Sequence, residues 1–120
     1  MPDGVYHGTA FGPGSVRIHE LALAVEIGDV ARAIKLAGQW QPPHALPAER
    51  RSHFHIEAAR AYCWAGNREQ AITALWQART AAPQHTRCNS AVIETVRVLI
   101  RSSRRPPPPL AQLANWIKHQ

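Results

Sequence analysis

Seven histidines and two cysteines are the residues of this 120-residue chain that could bind a metal or carry catalysis. His53 and His55 are two positions apart, so on a helix they point to different faces and cannot chelate one ion together. His85 and Cys88 are three positions apart and would share a face. A structural zinc site needs four ligands, however, and no second pair accompanies them. We therefore expect no metal and no cofactor.

Cys63 is a second candidate, as a nucleophile served by His55 or His85. A catalytic thiol needs an adjacent base, a group that orients this base, and donors for the oxyanion. The sequence around Cys63 supplies neither an orienting carboxylate nor a Gly-rich loop. Reduced, packed thiols are the favoured interpretation of both cysteines. We expect no catalytic residue and no enzymatic activity.

A group of arginines near the C-terminus could contact phosphates. Arg97 and Arg101 are four positions apart on a predicted helix, and Arg104 and Arg105 follow directly. The net charge of +6 also permits an anionic partner. Cations at the C-terminal end of a helix are favoured by the helix dipole too, so a solvated face is the alternative. Nucleic-acid binding that is not sequence-specific stays open.

These residues lie on helices, because Gly and Pro divide the chain into about six helical stretches and no segment alternates with a period of two. The stretches are residues 15–28, 29–41, 47–66, 67–83, 85–103 and 110–117. No apolar run approaches the roughly 20 residues of a membrane span. Residues 1–14 hold four Gly and two Pro and show no secretory signal. We expect a cytoplasmic protein with no membrane partner.

An internal repeat appears when two helix junctions are superposed. Gly28-Asp29, followed by Ala33-Ile34, matches Gly66-Asn67, followed by Ala71-Ile72, at an offset of 66 − 28 = 38 residues. Periods of this size are typical of stacked helical hairpins. An antiparallel helical bundle with Gly turns is the alternative.

The second unit resembles a tetratricopeptide repeat. The positions at the spacing of that family are Tyr62, Gly66, Ala71, Leu75, Ala78 and Pro83. The leading Trp and Leu-Gly of the family are absent, and His55, Ala58 and Ala59 stand in their places. The first unit matches less well, because Trp40 occupies its second small position.

A closer resemblance extends from about Val5 to the C-terminus and rests on several strings. These are residues 8–13, residues 25–30, and the stretch from Pro47 to Tyr62. They resemble the C-terminal half of actinobacterial helix-turn-helix transcriptional regulators that have a tetratricopeptide-like sensor region. The N-terminal DNA-binding domain of those regulators has no counterpart here, so the resemblance does not imply DNA binding.

The resemblance implies an all-α fold, a tetratricopeptide-like stack of antiparallel helical hairpins that forms a right-handed α-solenoid fragment. We expect an N-terminal arm (1–14) followed by a single helical-repeat domain (15–120). Within this domain, residues 15–41 form repeat 1, residues 45–83 form repeat 2, and residues 85–120 form a closing helix pair.

In this family, the first helix of each hairpin lines a concave groove that binds the ligand. Transfer of the groove positions implies a protein or peptide site formed by His53, Ile56, Glu57, Arg60, Trp64, Ile18, His19, Ala22, Glu26, Ser90, Glu94 and Arg97. Arg60 could hold a peptide carboxylate while Trp64 packs an apolar side chain. Alternatively, Arg60 pairs with Glu57 or Glu26, and Trp64 covers the edge of the core. We expect Trp40, Trp76 and Trp116 to cover the core.

Three functions follow as hypotheses. The first is a non-catalytic protein- or peptide-binding module. The second is a ligand-sensing fragment of a regulator whose DNA-binding half is on another chain or was removed. The third is a small basic nucleic-acid-associated protein that uses the arginines from Arg97 to Arg105. Because the stack is short, we also expect a homodimer or another protein partner to cover its N-terminal edge, near Val5, Tyr6 and Phe11.

Overall fold

A computed structural model describes residues 12–118 of the chain. Within this range the protein is all-helical, as expected, with seven helices and no strand. The helices are α1 (Pro13–Glu26), α2 (Val30–Gln39), α3 (Ala48–Trp64), α4 (Arg68–Ala81), α5 (Pro83–Arg87), α6 (Ser90–Arg101) and α7 (Pro108–Lys118). Helix α1 begins inside the expected arm because Pro13 suits the first helical turn. Residues 1–11 of that arm, with Val5, Tyr6 and Phe11, lie outside the described residues.

The two repeated junctions have the same local structure. Gly28 and Gly66 adopt left-handed conformations, with φ of 78° and 81°, which glycine adopts without steric penalty. Asp29 and Asn67 then cap the next helices, each accepting a hydrogen bond of 3.2 Å from the backbone N–H three residues later. The sequence repeat therefore corresponds to a repeated local structure, in which one helix ends at a left-handed glycine and the next begins at a capping side chain.

The predicted fifth helix, residues 85–103, is wrong as one element, because the structure divides it into α5 and α6. Asn89 separates the two by capping α6, with its side chain accepting hydrogen bonds from Ala91 N and Val92 N. The Thr86 hydroxyl donates to the Ala78 carbonyl at 2.8 Å and so holds α5 against α4. This local capping ends a helix that the apolar periodicity alone would continue.

Helix α3 lies at the centre of the fold. It contacts α1, α2, α4, α5 and α6. Ala58, Ala59 and Ala61 are buried on it, and their small side chains let neighbouring helices approach closely. Phe54 and Ile56 supply most of its apolar volume in the core. A helix buried on so many sides has only a narrow strip of surface left.

Three tryptophans cover the edges of the core, as expected: Trp40, Trp76 and Trp116 are partly buried against it. Trp40 meets Phe54 edge to face, with ring centroids 5.3 Å apart. None of the described helices has the length and apolar character that a membrane span requires.

Helix α7 is attached to α4 through a cation between two indole rings. The Arg79 guanidinium carbon lies 4.5 Å from the ring centroid of Trp76 and 4.6 Å from that of Trp116. Trp76 also donates its Nε1–H to the Pro109 carbonyl at 3.1 Å. The contact therefore joins α4 to the start of α7 at Pro109 and to the last turn of α7 at Trp116.

His55 is a buried titratable group on α3 that packs edge to face against Phe54. Burial and, as a smaller contribution, the nearby Arg51 charge together lower its pKa to about 4. The imidazole is therefore neutral in the folded protein over the whole range in which an exposed histidine titrates.

We predict that His55 destabilises the fold in mild acid. Because its folded pKa lies below its ordinary value of 6.5, the unfolded chain binds the proton first as the pH falls. The free energy of unfolding should be insensitive to this group above pH 6.5 and should fall by about 1–3 kcal/mol between pH 6.5 and 4. Urea unfolding across this range should show a flatter pH profile for His55→Gln. His19→Gln, at an exposed position, is the control. If His55→Gln has the same pH profile as His19→Gln and the wild type, the prediction is contradicted.

We predict that Arg79→Ala lowers the free energy of unfolding by about 1–2 kcal/mol, because it removes two cation–π contacts and the packing of the arginine stem. Arg68→Ala, at an exposed position of the same helix, should change it by less than about 0.5 kcal/mol. Hydrogen exchange in α7 should accelerate in Arg79→Ala alone. Equal effects of the two substitutions would refute a specific clamp.

Candidate functional site

Four of the predicted groove residues form one line along α3. His53, Glu57, Arg60 and Trp64 are spaced by four, three and four residues, so they share one face of the helix. His53 is exposed, Glu57 is buried, Arg60 is half-buried and Trp64 is 51% exposed. This line is the narrow surface that α3 retains, and we call it the α3 strip.

The buried carboxylate of Glu57 organises the α3 strip. Both of its oxygens accept hydrogen bonds of 3.2 Å from Arg60 Nη1, and His53 Nε2 lies 3.7 Å from Oε1. A carboxylate this deeply buried must be paired to offset its desolvation. The alternative in which Arg60 pairs with Glu57 is therefore the observed one.

Arg60 keeps donors for a second partner. Only Nη1 is used by Glu57, and among the described residues no hydrogen bond engages Nη2 or Nε. The guanidinium carbon lies 5.9 Å from the Trp64 ring centroid. Because half of the Trp64 surface faces solvent, this indole is not simply a cover for the core. The pair presents a cation with free N–H groups beside an exposed aromatic face.

Helix α1 contributes to a small cleft next to the α3 strip. The cleft holds about 280 Å³ and brings His19 of α1 close to His53 of α3. Arg50 closes one side by donating to the Ser15 hydroxyl at 2.7 Å. Three of the predicted groove residues, Ile18, His19 and His53, thus line one depression.

The other predicted groove residues of α1 and α3 are divided between core and surface. Ile18 and Ile56 are only 5% and 1% exposed and belong to the hydrophobic core, although Ile18 also forms part of the cleft wall. Ala22 is half-buried and Glu26 is exposed. The groove positions transferred from the family thus include two core side chains, because spacing alone does not distinguish the covered side of a helix from its exposed side.

The residues expected on α6 pair mainly with one another. Glu94 lies 3.3 Å from Arg97 Nη1 and 4.0 Å from Arg101 Nη2, and all three side chains are exposed, as is Ser90. Arg104 and Arg105 are exposed without an ion pair in the described part of the chain. The Glu94 carboxylate thus offsets part of the positive charge of the arginines that are predicted to contact phosphates.

The candidate catalytic groups have the wrong surroundings for activation. Burial raises the pKa of the Cys63 thiol, which reduces its thiolate fraction. Ser52 Oγ lies 3.2 Å from His85 Nδ1 and 2.8 Å from Thr86 Oγ1, but Ser52 is completely buried. These bonds join α3 to α5 and give no access to a substrate. Residues 12–118 contain no group of three or more His, Cys, Asp or Glu side chains that could hold a metal ion.

Sequence reasoning missed three surface features. Val16 and Leu23 of α1, and Ile27 directly after it, are exposed apolar side chains. A groove of about 740 Å³ runs between α6 and α7, and a cavity of about 780 Å³ lies between α4 and the prolines before α7. The sequence held a signal for the first feature only, a second set of apolar residues in α1 with helical spacing.

Comparisons of the chain with protein-family models, curated proteins and solved structures gave no match.

We predict that Arg60→Gln lowers the free energy of unfolding by about 1–3 kcal/mol, because it leaves the Glu57 carboxylate buried without its main partner. The double substitution Glu57→Gln with Arg60→Gln should recover part of this loss, since no buried charge remains. Trp64→Ala, at a half-exposed side chain, should change stability by less than about 0.5 kcal/mol. Denaturant unfolding measures the free energy of unfolding of each single variant and of the double variant. A double variant that loses more than the sum of the losses of Glu57→Gln and Arg60→Gln would contradict the pairing.

Proposed function

We propose that this protein is a non-catalytic module that binds a protein or peptide on the α3 strip. The observation that carries the proposal is the half-exposed Trp64 beside Arg60, whose Nη2 and Nε groups have no partner among the described residues. Exposed aromatic and arginine side chains together are the residue types that dominate binding energies at protein interfaces.

The helix contacts support a tetratricopeptide-like stack as the scaffold of this module, and the resemblance to that family implies that the stack is right-handed. Sequential helices pair as α1 with α2, α3 with α4, and α6 with α7. The first helices of successive pairs also meet, α1 with α3 and α3 with α6. In stacked hairpins this arrangement lines one surface with first helices and presents their side chains together to a ligand.

The chemistry of the strip favours a carboxylate next to an apolar group. The free Nη2 and Nε groups of the Arg60 guanidinium can donate hydrogen bonds to a carboxylate. The Trp64 indole face can pack against an aliphatic or aromatic side chain. A peptide C-terminus offers both groups on one residue. The adjacent cleft with His19 and His53 would receive the preceding residues. The resemblance to sensor regions of regulators agrees with a ligand-binding role of this kind.

A nucleic-acid partner has less support. The basic residues of α6 share the Glu94 carboxylate, which reduces the positive potential where phosphates would bind. The α3 strip offers a buried acidic group and one cation, which is not an electrostatic surface for a polyanion.

We predict that short random peptides displayed with free C-termini will be enriched by the wild-type protein. Enriched peptides should end in an apolar residue, and synthetic versions with an amidated C-terminus should bind at least about tenfold more weakly, because the guanidinium loses its ionic partner. Trp64→Ala should cause a similar loss without changing stability. The fold-preserving pair Glu57→Gln with Arg60→Gln should abolish the preference for the free acid.

Arg68→Gln is the matched control, because Arg68 is an exposed arginine on another helix. It should bind the selected peptides as the wild type does. Equal enrichment by the wild type and by Trp64→Ala, or equal binding of acid and amide, would show that the strip is not the binding surface.

A further inference from the structure

Helix α1 is apolar on two opposite faces. Its inner face buries Leu21 and Val25 completely in the core. Its outer face carries Val16, Leu23 and Ile27, which are 46%, 50% and 73% exposed. These three are spaced by seven and four residues and form one stripe along the helix. A helix that is hydrophobic all round is ordinarily covered on both sides, as α3 is in this fold.

The outer stripe of α1 carries one acidic residue, Glu20, four positions after Val16 and three before Leu23. Glu20 lies 3.8 Å from Arg32, and both side chains are about half exposed, so this ion pair contributes little to stability. The stripe therefore offers an apolar surface with a half-exposed carboxylate near its centre, beside the Arg32 guanidinium. We call it the α1 face.

A groove of matching character lies between α6 and α7. Its apolar lining includes Ile93, Ile100 and Ile117, which are all partly buried. The charged residues that line the groove are Arg97, Arg101 and Lys118. The single Glu94 carboxylate that the two arginines share offsets one of these three charges, so the rim keeps a net positive charge. The helices are also similar in length: α1 with 14 residues spans about 21 Å, and α6 with 12 spans about 18 Å.

We propose that the α1 face of one copy of this chain binds in the α6–α7 groove of the next copy. Charge favours this pairing, because Glu20 would enter a rim of three cations. A two-fold contact between two α1 faces would instead bring Glu20 of one copy toward Glu20 of the other. Two grooves facing each other would oppose cations to cations.

The fold already contains the geometry that this contact requires. Helix α3 contacts both α1 and α2, the two helices that precede it. A helix α1 placed on α6 and α7 of another copy would repeat that relation between two chains. Helices α1 and α3 also end in the same glycine junction, which supports their equivalence.

This contact joins two different surfaces, so each copy keeps one unused surface of each kind. Such a heterologous contact continues from copy to copy rather than stopping at a dimer, unless a ring closes. The inference goes beyond peptide binding on the α3 strip, because neither surface includes Arg60 or Trp64. Val16 and Glu20 also line the cleft beside the strip, so the experiments separate the two proposals at residues that they do not share: Arg60 and Trp64 for the peptide, and Leu23, Ile27, Arg97 and Arg101 for the contact between copies.

The test uses two variants, each blocked at one surface. Leu23→Gln with Ile27→Gln removes the apolar surface of the α1 face without adding charge, and Arg97→Glu with Arg101→Glu reverses the groove charge. All four side chains are exposed, so the fold should persist, which circular dichroism checks. The wild-type mass in sedimentation equilibrium should rise with concentration past that of a dimer. Each variant alone should stay monomeric, and their equimolar mixture should form a one-to-one heterodimer and stop there.

Two controls sharpen the result. Trp64→Ala should assemble as the wild type does. Glu20→Arg added to the groove variant should restore assembly, because both charges are then reversed. If the groove variant still dimerises on its own and the mixture contains no heterodimer, the proposal is overturned in favour of a two-fold contact between two α1 faces. A wild-type chain that is monomeric at every concentration would overturn it too, and would make residues 1–11 the candidate occupant of the α1 face.

Discussion

The close approach of five helices to α3 is the constraint on which the rest of this structure depends. A central helix can be surrounded in this way only where its side chains are small, as Ala58, Ala59 and Ala61 are. The same burial forces every polar group on α3 to find a partner or give up its charge. Ser52 bonds to α5, Glu57 takes Arg60, and the buried imidazole on this helix remains neutral.

This constraint also determines where function can reside. Because neighbours cover most of α3, its fully exposed side chains beyond the first turn are His53 and Trp64, and both lie on the strip. Glu57 fixes the guanidinium of Arg60 from below, so the cation is held in place before any ligand arrives. A positioned cation loses less conformational entropy on binding than a free surface arginine. The buried ion pair thus serves the fold and the strip together.

Local chemistry could be predicted from the sequence, and long-range contacts could not. The glycine junctions at Gly28 and Gly66 follow from residue type, and the structure confirms them. The break at Asn89 lies inside a continuous apolar period, where a capping side chain outweighs periodicity. Ile56 is predicted in the groove but lies in the core, because spacing identifies a helix face but not which neighbouring helix covers it. The position of Arg79 between two indoles joins residues far apart in sequence, and no local pattern indicates it.

The charge of the chain gives the exposed apolar surfaces their specificity. With a net charge of +6, two copies repel at long range, and this opposes any association that does not bring unlike charges together. The repulsion weakens with added salt, because exposed charges are screened over roughly 8–10 Å near physiological ionic strength. Apolar contact alone would let the stripe of Val16, Leu23 and Ile27 bind any hydrophobic surface. A single acidic residue within that stripe, in an otherwise basic protein, makes a cationic groove the preferred partner surface.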